Sequence, residues 1–358
     1  MTSQVYKTMN SRERVLTAFA HEEPDRVPVW CGASPEFLQK AGRELNIADD
    51  ELLRLRFHDD FRRVFARYGA PDLKLRAGVE SRTIFGVERH GYGYGHPIAA
   101  PLCGVNTLDD IHAYRWPDPA LVDVRGIRGE AERFGGEYAV LGGDWSPFWH
   151  DVIDLLGMED LFYKMNDTPG LVDAVFRHVV DFYFEVNRRI FDEAAGAIDI
   201  FFIGNDFGSQ TGPMIGEACF RRFILPHLRR LIRLGHDYRL RTMLHCCGGF
   251  EPLIFAMIEA GLDGVHAIQT SCHGMDLRCL KERYGKQLLF NGAIDAQHVL
   301  LEGSPDFVRQ KTREVLKIMM PGGGFVAGAS HDYILEQTPV ENIVAMFDAV
   351  MEYGKYRQ

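Results

Sequence analysis

Between residues 137 and 329 the chain alternates short apolar runs with longer amphipathic ones. The runs at 138–141, 198–203, 241–244, 264–268, 287–290 and 324–327 are short and continuous in Val, Ile, Leu, Phe and Ala, as strands buried on both faces are. Helical patterns separate them, from the first run to Asn187 and beyond, and again over 217–234. Repeated βα units with short connections predict a parallel sheet, and this many in one chain predict a closed (β/α)8 TIM barrel. The amino-terminal part is less regular. It predicts a capped helix over 11–21, a turn at 24–30 entering a short strand, helices over 35–45 and 49–68, and a β-hairpin excursion over 83–97. Gly91, Gly93 and Gly95 do not form a dinucleotide loop, because no helix opens after them. Residues 1–358 therefore read as one barrel domain with an N-terminal helical extension, without internal repeats or a linker tract.

Barrel enzymes build their sites at the carboxyl ends of the strands, and the polar residues of this chain gather there. Asp144 and Trp145 follow the first run, Asn205 and Asp206 the second, His245 and Cys247 the third, Gln269 the fourth, Asn291 the fifth, and His331 and Asp332 the sixth. In alternating strand geometry His245 and Cys247 share one side while Cys246 points away, so an imidazole and a thiolate can meet one zinc ion. The competing reading makes the cysteine pair core filling and satisfies His245 with a backbone carbonyl. Catalytic zinc keeps three protein ligands and an open position; His331, on the same rim, is expected to complete a His245/Cys247/His331 set. Asp206 or Asp144 would orient a ligand histidine or move a proton, and Trp145, Asn205, Gln269 and Asn291 would contact the substrate. Cys272 and His273 lie close enough in sequence to reach the rim. Arg221, Arg222, Arg229, Arg230 and Arg233 read as a solvated helix face.

Composition narrows the function classes. With 358 residues, 46% hydrophobic and 11% aromatic, the chain can bury a large core. Fifty acidic residues against forty basic ones give a formal charge of −10, which argues against nucleic-acid and membrane partners and for a small-molecule enzyme. The first ten residues lack the apolar run of a signal peptide, so a cytoplasmic location is expected. Seven cysteines, two of them adjacent, do not make a disulfide framework.

Four segments carry a resemblance: Pro24-Asp-Arg-Val-Pro-Val-Trp30, Gly142-Gly-Asp-Trp-Ser-Pro-Phe-Trp-His150, Leu244-His-Cys-Cys-Gly248, and Ser330-His-Asp-Tyr through Ile343. Together they resemble the uroporphyrinogen decarboxylase superfamily, whose barrel is similar to that of cobalamin-independent methionine synthase. The resemblance implies one of two chemistries: cofactor-free decarboxylation of uroporphyrinogen, or zinc-dependent methyl transfer between a corrinoid protein and a thiol. The decarboxylase has an arginine-bearing motif after Pro-Val-Trp; here Cys31-Gly-Ala-Ser-Pro-Glu-Phe37 stands there, although Arg43 follows in a partial echo. Its catalytic aspartate is matched by Asp59 or Asp60, its tyrosine position by His150, and its distal histidine by His331. The methyltransferase branch has His-x-Cys, matched by His245 and Cys247, and a distal cysteine whose place His331 would fill. The expectation is a zinc-assisted methyltransferase acting with a corrinoid carried on a partner protein and a small-molecule substrate, with a homodimer left open. Decarboxylation and non-catalytic tetrapyrrole or corrinoid binding are the alternatives.

Overall fold

The computed structural model describes residues 8–68, 75, 78–91 and 95–356. Seven strands form one curled parallel sheet: β1 (Phe61–Arg63), β2 (Ala139–Gly142), β3 (Ile200–Gly204), β4 (Arg241–His245), β5 (Gly264–Ile268), β6 (Leu289–Ile294) and β7 (Phe325–Ala329). They pair in chain order, so each strand lies beside its sequence neighbour. The segment before β1 meets both edges of this sheet: the amide of Trp30 donates to the Ala327 carbonyl at 2.9 Å, that of Ala327 to Pro28 at 2.9 Å, and that of Asp60 to Val29 at 3.0 Å. Apart from the half-buried Arg241 that opens β4, strands β2 to β7 are buried throughout, which is why they read as apolar runs.

Strand β1 corrects the sequence reading. The helix expected over 49–68 stops at Arg56, and the chain turns at His58, whose φ is 56°. Phe61-Arg62-Arg63 carries two charges and looks like exposed helix, but Arg62 is buried because Glu51 and the carbonyls of Asp59 and Phe61 take its N–H groups. Tertiary partners, absent from any local pattern, make that strand possible. The fifth run also continues past its expected end at 290 to Ile294, which puts Asn291 in the middle of β6.

The helix Ser11–Phe19 begins with a capping box between Asn10 and Glu13. Its Val15, Ala18 and Phe19 pack with Phe61, Ala139, Leu141, Ile200, Met243, Leu289 and Val326 in one buried cluster inside the sheet. The expected hairpin over 83–97 is a three-stranded antiparallel sheet of Ser81–Arg82, Glu88–His90 and His96–Pro97; Gly93 lies outside the described residues. Arg89 of this sheet pairs with Asp154 on the helix Phe148–Leu156. The arginine-rich helix face is solvated as expected: Arg221 pairs with Glu217 and Glu259, Arg222 with Asp173, and Arg230 with Asp181. Among the described residues no helix is long and apolar enough to cross a membrane.

Candidate functional site

The carboxyl ends of β3 and β4 assemble a cluster of donor atoms. His245 is the last residue of β4, and the chain leaves the sheet through Cys247, Gly248 and Gly249. The glycines are required there. Gly248 has φ 85°, and a Cβ on it would come within 2.4 Å of the Gly208 backbone, so only glycine lets the two loops close against each other. This close approach brings Asp206 to Cys247, whose amide donates to Asp206 Oδ1 at 2.6 Å.

Three donor atoms then face one another. His245 Nε2 is 3.3 Å from Cys247 Sγ and 3.4 Å from Asp206 Oδ1. The other carboxylate oxygen of Asp206 is 3.5 Å from His150 Nε2 on the neighbouring helix. Burial disfavours the ionised form of Asp206, but hydrogen bonds and charge from His150 and His245 outweigh it and hold the carboxyl well below the usual range. For His245 burial works against the charge, yet Cys247, Asp332 and Asp206 raise its pKa well above the ordinary value. Burial pushes the Cys247 thiol up, with His245 offsetting part of that. On the opposite side of the ring, His245 Nδ1 lies 3.1 Å from His266 Nδ1.

Trp145 covers this cluster, its ring centroid 5.2 Å from that of His245. The end of β3 must be Gly204 for that, since a Cβ there would lie 1.8 Å from the indole. Beyond Trp145 is a cavity of about 1000 Å³ lined by Tyr68, Trp116, Asp144, Asp151 and Tyr183 among others. Asp144 accepts from the Tyr68 hydroxyl and from the Ser146 amide, and Asp151 accepts from the Tyr183 hydroxyl at 2.6 Å. His150 opens instead on a separate cavity of about 550 Å³, walled by Ile98, Ile153, Met158 and Met214.

Of the residues expected at the site, His245, Cys247, Asp206, His150 and Trp145 come together, and Asp144 borders the adjoining cavity. Gln269 accepts from the Gly248 amide at 2.7 Å and from the Cys272 thiol at 3.5 Å, so it supports the glycine turn. Four of the expected residues make other contacts. His331 Nδ1 lies 3.0 Å from the carbonyl and 3.2 Å from the amide of Tyr333 on its own loop, and among the described residues it is Asp206 that joins His245 and Cys247 in one group of donor atoms. Asn291 is wholly buried within β6, its amide N–H directed at Met243 Sδ, 3.7 Å away. Asn205 is buried as well, accepting from the Trp149 amide at 2.8 Å and donating to the Ser146 carbonyl at 3.1 Å, which ties the loops after β2 and β3 together. Asp60, like Asp59, precedes β1 and so lies at the amino end of the sheet, away from His245. There Asp60 accepts from Arg14 at 2.7 Å, from Arg26 at 2.8 and 2.9 Å, and from the Val29 amide at 2.7 Å.

Sequence reasoning missed His266 and gave Asp332 no role. The carboxylate of Asp332 lies within 4.8 Å of nitrogens of both His245 and His266, a second donor group that shares His245 with the first. The available signal was a histidine in the centre of an apolar strand, where a polar side chain needs a partner. Arg63, at the carboxyl end of β1, was also missed; its guanidinium lies 5.1 Å from the Trp145 ring centroid.

The profile of the uroporphyrinogen decarboxylase (URO-D) family matches residues 99–353. The chain is 20% identical over 227 residues to the methylcobamide:CoM methyltransferase MtbA of Methanosarcina acetivorans, an alignment covering 62% of this chain and 61% of that protein. It is 21% identical to a uroporphyrinogen decarboxylase of Magnetococcus marinus over 97% of this chain and 98% of that one. Among solved structures, a methyltransferase from Methanosarcina mazei superposes with a TM-score of 0.68 at 19% identity, covering 96% of this chain and 99% of the other. A profile match over most of the chain, on a fold shared nearly end to end, settles the family: the chain belongs to the uroporphyrinogen decarboxylase (URO-D) family.

Proposed function

We propose that this URO-D family member is a zinc-assisted methyltransferase that moves a methyl group between a corrinoid, carried by a partner protein, and a small thiol or other heteroatom substrate. The observation that carries the reading is the meeting of His245 Nε2, Cys247 Sγ and Asp206 Oδ1 at 3.3 and 3.4 Å. Nitrogen, sulfur and oxygen donors at these separations fit a tetrahedral ion with ligand bonds of about 2.0 to 2.3 Å, and they leave a fourth position for substrate. When bound, zinc supplies the Lewis acidity that keeps an acceptor thiol deprotonated at neutral pH. The residues of the chain do the rest. Trp145 shields the donor atoms from water on one side, and the Gly248 turn fixes Cys247 against Asp206. His150, half-exposed and 3.5 Å from Asp206, can take the proton released by the acceptor and pass it to the solvent-facing cavity.

The proposed scaffold is the closed (β/α)8 barrel, with Pro28–Trp30 counted as the eighth strand; its hydrogen bonds to β7 and to Asp60 support that count. The decarboxylase reading has less support. It needs an aspartate at the rim in the place of Asp59 or Asp60, and both are committed to arginines at the other end of the sheet. Metal analysis of the purified protein is the test: about one zinc per chain, lost in Cys247→Ala, together with methyl transfer from methylcobalamin to a thiol. A metal-free protein that converts uroporphyrinogen would overturn the proposal.

A further inference from the structure

His245 can offer Nε2 to a metal only if its proton sits on Nδ1 and its ring is held in one orientation. The structure contains the group that could do both. His266 pairs with His245 across β4 and β5, is wholly buried, and brings its Nδ1 to 3.1 Å from His245 Nδ1. Two imidazole nitrogens at that distance share one proton, so one ring donates and the other accepts. His266 has little freedom to turn away, because its ring is packed against Trp30, Phe202 and His245 at centroid distances of 5.1, 5.5 and 5.1 Å.

We propose that His266 is a positioning residue for the metal centre: its Nδ1 accepts the Nδ1–H of His245 and so keeps Nε2 of His245 directed at Cys247 and Asp206. The tautomer follows. With Nδ1 accepting, a neutral His266 carries its own proton on Nε2, a buried atom with no hydrogen-bond partner among the described residues. Asn291, its register partner on β6, leaves its Oδ1 likewise buried without a hydrogen-bond partner among the described residues. Burial lowers the pKa of His266 well below the ordinary value, which agrees with a ring that accepts and does not compete for charge.

This inference rests on the zinc reading for its consequence, but the hydrogen bond itself does not need a metal. Two variants separate the roles. His266→Phe keeps a ring in the aromatic cage and removes the acceptor. His266→Asn puts an amide oxygen near the position of Nδ1 and restores it. Zinc affinity, measured by competition with a chelator, should fall about 10- to 100-fold in His266→Phe and stay within a few-fold of the parent in His266→Asn, both proteins remaining folded by near-ultraviolet circular dichroism. Histidine-selective ¹⁵N NMR of the metal-free parent should show His245 protonated at Nδ1 and bonded to an unprotonated nitrogen of His266. If the parent shows that bond but takes up no zinc, the positioning of His245 stands and the methyltransferase reading fails. Unchanged zinc affinity in His266→Phe overturns the inference. So does absence of the bond, or zinc found among His245, His266 and Asp332.

Discussion

At the scale of single residues the chemistry depends on protons held against burial. His245 and Cys247 both have raised pKa values in the metal-free protein, so below those values each must lose a proton before it can bind zinc. The sign follows directly: zinc affinity should rise with pH across the neutral range, approaching about 100-fold per pH unit where two protons leave for each ion. Titration calorimetry in buffers of different ionisation enthalpy would count them, and uptake without proton release would contradict this state of the site. Asp151 gives a second test. Burial, opposed by the Tyr183 hydroxyl, pushes its carboxyl up to about 7. The folded form thus prefers the protonated acid, and its contribution to stability is lost as pH rises from about 4 to about 7. Asp151→Asn should therefore stabilise the protein at pH 8 and do little at pH 4. The gain can reach a few kcal/mol, at about 1.4 kcal/mol per pK unit. Urea denaturation at the two pH values reads it, and equal effects at both would refute it.

At the scale of elements, strand ends and their loops decide where the donors sit. Gly204 closes β3 with no side chain, and the Trp145 indole occupies the space a Cβ would need. Gly204→Ala should displace that indole and uncover His245, visible as a change in Trp145 fluorescence and as faster loss of zinc to a chelator. Unaltered fluorescence and zinc kinetics would show that the indole does not cover the centre. The segment entering β1 has a different function. Asp60 accepts four hydrogen bonds from Arg14, Arg26 and Val29, joining the helix Ser11–Phe19, the Pro28–Trp30 segment and β1. Asp60→Ala leaves two arginines without their buried partner and should cost about 3 to 5 kcal/mol. Zinc stoichiometry per folded molecule should not change. Loss of turnover with stability unchanged would instead restore Asp60 to catalysis.

At the scale of the whole molecule, the amino-terminal helix fills the end of the sheet opposite the His245, Cys247 and Asp206 cluster. Phe19 is 2% exposed and packs inside the curl with Met243, Leu289 and Val326. Phe19→Ala should destabilise the fold by about 3 to 5 kcal/mol, since the surrounding strands cannot collapse into the space left. Thermal unfolding should show the loss while zinc binding at low temperature persists. The two ends of the sheet thus divide the work, one holding the structure together and the other exposing donor atoms.

The sequence by itself determined what depends on local pattern. Six of the seven sheet strands, the His245 and Cys247 pair on one side of a strand end, and the glycines that follow them were all legible, because strand alternation and the conformational needs of a tight turn are written in consecutive residues. Only the tertiary structure decided what depends on partners far along the chain. Strand β1 was hidden by its arginines until Glu51 was seen to bury Arg62. Asn291 was read as following its strand, whereas a few residues of register place it in the interior. The meeting of Asp206 with His245 and Cys247, and the pairing of His245 with His266, rest on loop closure and on the neighbouring of β4 and β5 in space, where contacts are made between residues whose separation in sequence carries no signal of their meeting.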